Sequence, residues 1–85
     1  MAYRVELLRT AAKELERLPT EAKQAVRRAI AALADDPRPR GSKKLVGGHD
    51  YYRIRIGDYR VLYEVRARQV LVLVIAVGHR RDIYR

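Results

Sequence analysis

From Tyr3 to Leu8 the chain alternates, with Tyr3, Val5 and Leu7 on one side and Arg4, Glu6 and Leu8 on the other, the period of a strand with one buried face. The period then lengthens. Ala11, Leu15 and Leu18 recur at helical steps, with Thr10 placed to cap the first turn, until Pro19, which lacks a backbone donor and disfavours helix in the residue before it. A second helix is predicted from Thr20, where Ala22, Ala25, Val26, Ala29, Ile30 and Leu33 form one apolar stripe, and it stops at Asp35, Asp36 and Pro37. Helices joined by so short a turn lie antiparallel.

Residues 37–48, PRPRGSKKLVGG, have the composition of a loop, with a short edge strand expected at Lys44 to Val46. Three strand-like runs follow, Tyr51 to Ile56, Tyr59 to Arg66 and Val70 to Val77. The last is apolar throughout and is expected to be a central strand covered on both faces. The predicted class is therefore α+β: an N-terminal strand, a two-helix antiparallel hairpin, then a twisted antiparallel sheet packed on the helices. With 85 residues and no repeat or linker the chain reads as a single domain, 1–85. A chain of this size buries only a little over roughly 60% of its unfolded surface, which leaves no room for a second core.

Charge adds a partner class to this outline. Lys and Arg number 19 against 10 Asp and Glu, a formal charge of +9. Residues 1–36 carry seven basic and six acidic side chains, whereas residues 37–85 carry twelve and four, so the positive field belongs to the second half. Fifteen of the basic residues are Arg, whose planar fork binds phosphate bidentately and stays charged near neutrality. A nucleic-acid partner is the leading expectation. The absence of Cys excludes a disulfide framework and a thiolate zinc site and fits a reducing cytoplasm. No signal peptide or membrane span is expected, since the longest apolar run is far short of about 20 residues.

Gly57-Asp58 lies between two alternating runs and reads as a two-residue type II′ hairpin turn. That turn sets Ile56 against Tyr59, Arg55 against Arg60, Ile54 against Val61 and Arg53 against Leu62. Tyr52, Ile54, Ile56, Tyr59, Val61 and Tyr63 then share the core face, and Arg53, Arg55 and Arg60 gather on the other. Like charges directly opposed in a sheet cost up to about 1 kcal/mol, with only Glu64 nearby to offset them. Such an arrangement suits a polyanion. The basic loop residues Lys43 and Lys44 are candidates for further RNA contact. The tail after the last strand, with His79, Arg80, Arg81 and Tyr84, is expected to emerge beside Arg55 and Arg60, where phosphate chemistry has use for titratable and hydrogen-bonding groups.

These segments resemble the RelE/ParE superfamily of small bacterial and archaeal toxins over nearly the whole chain. The likeness runs through MAYRVEL, a helical hairpin closing in ERLP, a KLVG segment, YYRIRIGDYRVLYEV, an apolar strand ending VIAVGHR, and a late Tyr. The pairing of GDYRVLYEV with VGHR is quite specific for the superfamily. In the RelE branch the resemblance implies cleavage of messenger RNA in the ribosomal A site, by attack of a ribose 2′-OH on the adjacent phosphate without a metal or other cofactor. The residues that match the branch's functional positions are Arg53, Arg55, Arg60, Arg80 and Tyr84.

Two departures bear on mechanism: both strand positions, commonly Lys in that branch, are Arg here, and no C-terminal helix follows Tyr84. Arg stabilises charge on a phosphoryl group but is a poor general base, so proton removal falls to Tyr84, ranked first, or His79. The alternative ParE branch poisons DNA gyrase and needs no catalytic set, and a non-catalytic RNA-binding protein is a third reading. The resemblance also implies a cognate antitoxin, whose acidic or amphipathic segment would complement the basic surface.

Overall fold

The computed structural model describes residues 2–47 and 50–79, in the order β1 (Arg4–Leu7), α1 (Arg9–Glu16), α2 (Thr20–Ala32), β2 (Lys43–Lys44), β3 (Tyr51–Ile56), β4 (Tyr59–Arg66) and β5 (Leu71–His79). One five-stranded sheet has the order β1-β5-β4-β3-β2. Strands β2 to β5 pair antiparallel, as expected, while β1 lies parallel to β5, so the α+β sheet is mixed at that edge. Both helices lie on one face. Their apolar stripes, Ala11 and Leu15 on α1 and Val26, Ile30 and Leu33 along and just past α2, close over Tyr52, Ile54, Val61, Tyr63, Val65, Val72, Val74 and Val77. No helix among the described residues is long and apolar enough to cross a membrane.

The structure moves three boundaries. Helix α1 starts at Arg9, one residue before the expected cap, and no side chain caps it. The chain is still tied to the sheet at Leu8, whose N–H donates to the Val74 carbonyl at 3.0 Å, so strand pairing decides where it turns into helix. Thr10 lies inside the first turn. The edge strand sits at Lys43–Lys44 rather than Lys44 to Val46, because Lys43 and Lys44 pair with Arg53 and Tyr52 and the chain then turns away, leaving Val46 fully exposed. Strand β5 begins at Leu71, since Val70 takes the left-handed conformation, φ 51°, that closes the 3₁₀ turn Ala67–Gln69.

Strand β5 also differs from expectation on its second face. Val72, Val74 and Val77 are buried under the helices and Leu71 is buried too, but Leu73 and Ile75 are only half-buried. The strand carries a bulge: Tyr63 pairs with Val74 and Leu62 with Ala76, so Ile75 is an extra residue. From there on the alternation of β5 is reversed.

At the other end of the sheet a tyrosine pair pins the loop after α2. Tyr63, fully buried, donates its hydroxyl to the Pro37 carbonyl at 2.8 Å and stacks on Tyr52 at 5.9 Å between ring centroids. The Tyr52 hydroxyl in turn accepts from Arg38 Nε at 2.9 Å. Burial pushes the Tyr63 phenol up to about 12. A raised phenol contributes stability that is intact below its unfolded pKa of about 10 and is lost as pH climbs toward the folded value. Tyr63→Phe is therefore expected to cost about 1 kcal/mol near neutrality, by loss of one hydrogen bond. The deficit should narrow between pH 10 and 12 in urea denaturation, and a constant difference would show that the hydroxyl is not what resists ionisation.

Candidate functional site

The Gly57–Asp58 turn has Gly57 at φ 60° while Asp58 keeps a negative φ, as a type II′ turn requires. The resulting register is the expected one: Arg55 stands opposite Arg60, Arg53 opposite Leu62, Ile54 opposite Val61 and Ile56 opposite Tyr59. Arg53, Arg55 and Arg60 thus share the face of the sheet away from the helices. Arg55 is exposed, whereas Arg53 and Arg60 are half-buried, with their Nε atoms shielded from solvent.

Two neighbouring strands complete the patch. Lys43 pairs with Arg53, so it joins this face. Lys44 pairs with Tyr52 on the opposite face, and its Nζ lies 3.3 Å from Asp50. Across the sheet Gly78 pairs with Arg60 and Ala76 with Leu62. Beside Arg60, then, β5 presents a residue without a side chain. On this face Gly78, Ala76 and Leu62 lie beside the arginines, and a guanidinium fork suits the binding of phosphate. Glu64, the carboxylate of β4, accepts from Arg66 Nε at 2.7 Å.

His79 is not part of this patch. Because of the bulge it pairs with Tyr59, whose ring it meets edge-on at 5.7 Å and 85°. Both belong to the helix face, in a cleft of ≈ 330 Å³ walled by Glu14, Arg17, Leu18, Pro19, Val77 and Gly78. The expectation that His79 emerges beside Arg55 and Arg60 is corrected on this point. Unbroken alternation along β5 would have put it there, and one inserted residue moves it to the other side. Arg80, Arg81 and Tyr84 lie outside the described residues.

Glu14 is a residue that reading the sequence for chemistry passed over. Its Oε1 accepts the Val77 N–H at 2.9 Å, beyond the point where β1 stops covering the edge of β5. A signal existed: position 14 falls between Ala11, Leu15 and Leu18 on the core-facing side of α1, where a carboxylate needs a partner. The bulge had no such signal, since VLVLVIAV contains neither Gly nor Pro.

A family model described as the ParE toxin of the type II toxin-antitoxin system, parDE, matches residues 5–84. The chain belongs to the RelE/ParE toxin superfamily. The toxin is 34% identical over 89 residues to toxin RelG of Mycobacterium tuberculosis, covering 100% of this chain and 99% of that one. It is 32% identical over 82 residues to the mRNA interferase toxin RelE of Escherichia coli K12, covering 94% and 85%. Among solved structures, a chain of the RelBE2 toxin-antitoxin complex of M. tuberculosis matches the toxin with a TM-score of 0.82 and 29% identity, over 94% of this chain and 100% of that one.

The opposed pair has a measurable cost. Arg55 is the exposed member, so replacing it relieves repulsion with little loss of packing. Arg55→Thr is expected to raise stability by about 0.5–1 kcal/mol at low ionic strength, through lost repulsion and better strand propensity. Thermal melts at two salt concentrations check this: the gain should shrink as salt screens the pair. A destabilised variant would mean that Arg55 contributes packing rather than strain.

Proposed function

We propose that the toxin is a ribosome-dependent endoribonuclease that cuts messenger RNA in the A site and so inhibits translation in the cytoplasm. The observation that carries this reading is the grouping of Arg53, Arg55 and Arg60 on the sheet face away from the helices, with two of them directly opposed. An arrangement that costs stability is retained where it binds a polyanion. In the reaction the 2′-oxygen of one ribose loses its proton and attacks the adjacent phosphorus, the bond to the 5′-oxygen breaks, that oxygen takes a proton from water, and the products are a 5′-OH and a 2′,3′-cyclic phosphate or the 3′-phosphate formed by its hydrolysis.

The guanidinium groups have the chemistry to hold the negative charge that builds on the non-bridging oxygens. Arg60, flanked by Gly78, is positioned for close approach, and Arg80 is expected from the family pattern to add a second fork. No three His, Cys, Asp or Glu side chains come together as metal ligands among the described residues, and the mechanism assigned here uses none. The 2′-OH proton falls to Tyr84, because His79 faces the helix side beside Tyr59. Lys43 and Arg81 extend the phosphate contacts, and Lys44, on the far face, is the weakest of the expected RNA ligands. A cognate antitoxin is part of the proposal, supported by the toxin-antitoxin complex among the similar structures.

The matching family is described as a ParE toxin, which favours one further reading, the ParE branch, for which the resemblance implies DNA gyrase as the target. Programmed ribosomes incubated with the toxin separate the two. The nuclease reading expects a cut within the A-site codon in EDTA, whereas an intact message together with inhibited gyrase supercoiling would assign the toxin to the ParE branch. Arg60→Ala, and likewise Arg80→Ala, should slow single-turnover cleavage on the order of a hundredfold, the scale of one lost transition-state donor. Tyr84→Phe should slow the chemical step with ribosome binding retained, and His79→Gln should do much less. The reverse order would make His79 the base.

A further inference from the structure

Strand β5 outruns its outer neighbour. Strand β1 covers it from Leu71 to Val74, and the last tie is the Leu8 N–H on the Val74 carbonyl. Strand β5 continues to His79, so residues 75–79 have β4 on one side and no described strand on the other. The bulge at Ile75 falls at the same place, which leaves Ala76 to His79 as a short stretch in register with Leu62 to Tyr59. Gly78 belongs to that stretch, opposite Arg60. Having no side chain, it gains no hold on the core of its own and takes its place from Val77 before it.

Val77 is 1% exposed. A buried N–H costs stability unless something accepts from it, and on this edge the strand that would ordinarily do so has ended. The acceptor is instead Glu14 Oε1 on α1, at 2.9 Å and 63 residues away in sequence. The other carboxylate of the helix, Glu16, is engaged with Lys23 and Arg27 of α2. Through one side chain, then, α1 stands in for the missing strand. Backbone groups of successive strand residues point to opposite edges, so a bond that fixes Val77 outward also fixes Ala76 and Gly78 toward β4.

We infer that Glu14 is a positioning residue for the arginine face: by holding Val77 it keeps Gly78 against Arg60, and so keeps the side-chain-free place beside Arg60 where the phosphate of the RNA comes in. Glu14 itself lies in the cleft on the helix side, with Tyr59 and His79, and touches no substrate. The inference rests on the reading of the toxin as a nuclease in which Arg60 meets the scissile phosphate.

The test compares the wild type with three variants. Glu14→Met keeps a long unbranched side chain and good helix propensity but removes the carboxylate, and Glu14→Gln keeps an acceptor oxygen. Ile30→Val is a core substitution on α2 that lowers stability without touching the Glu14 bond. Circular dichroism verifies that each is folded at the assay temperature. Glu14→Met is expected to slow single-turnover cleavage on programmed ribosomes roughly tenfold at unchanged ribosome affinity, the scale of a small misplacement at the reacting group. Glu14→Gln and Ile30→Val should stay near the wild-type rate. In an Arg60→Ala background Glu14→Met should add nothing, because two residues that act through one contact are not additive. By NMR, Glu14→Met should speed exchange of the Val77 amide roughly tenfold, the scale of one lost hydrogen bond, and shift the Gly78 and Arg60 amide resonances.

Glu14→Met cutting at the wild-type rate, or slowed equally with and without Arg60, would overturn the inference. So would an equal slowing in Ile30→Val, which would make stability alone the cause. A wild-type toxin that leaves the message uncut sinks the nuclease reading instead. The amide signals then decide for Glu14: shifted Gly78 and Arg60 resonances uphold its grip on β5 beside Arg60, and unchanged ones overturn it.

Discussion

The Gly57–Asp58 turn decides on which side of the sheet the charges of β3 and β4 stand. A two-residue hairpin with Gly57 at φ 60° admits one register. A slip of one residue would carry Arg53, Arg55 and Arg60 into the face that Val26, Ile30 and Leu33 cover, and would expose Ile54 and Val61. Burying three guanidinium groups there is prohibitive without partners. The core and the arginine patch are thus two consequences of the same turn. Helix packing holds the register from one side, and repulsion between Arg55 and Arg60 is the burden it carries on the other.

The bulge at Ile75 does for β5 what the turn does for the hairpin. Before it, Val72 and Val74 point at the helices; after it, Val77 does, and Gly78 comes to lie beside Arg60. Without the extra residue Val77 would stand there, narrowing the approach to the guanidinium, and His79 would stand on the arginine face. One insertion clears the ground next to Arg60 and removes the residue whose ordinary pKa best suits proton transfer. Glu14 secures this segment by taking the Val77 N–H where β1 has already ended.

What could be read from the sequence divides along the same lines. The hairpin register, the two helices with their turn at Pro19, and the cluster of three Arg follow from residues close together in the chain, where turn chemistry and periodicity act directly. The side taken by His79, the start of α1 and the parallel pairing of β1 depend on contacts between distant segments, such as the Leu8 N–H on Val74.

The central claim is that the arginine face meets the scissile phosphate, with Arg60 on a non-bridging oxygen. Single-turnover cleavage of messages carrying an Rp or Sp phosphorothioate at the scissile position tests it most directly. The expected result is that one diastereomer slows the wild-type toxin markedly, and that this thio effect largely disappears in Arg60→Ala, where the contact is already gone. The same thio effect in wild type and Arg60→Ala would contradict the claim and place Arg60 away from the reacting phosphate.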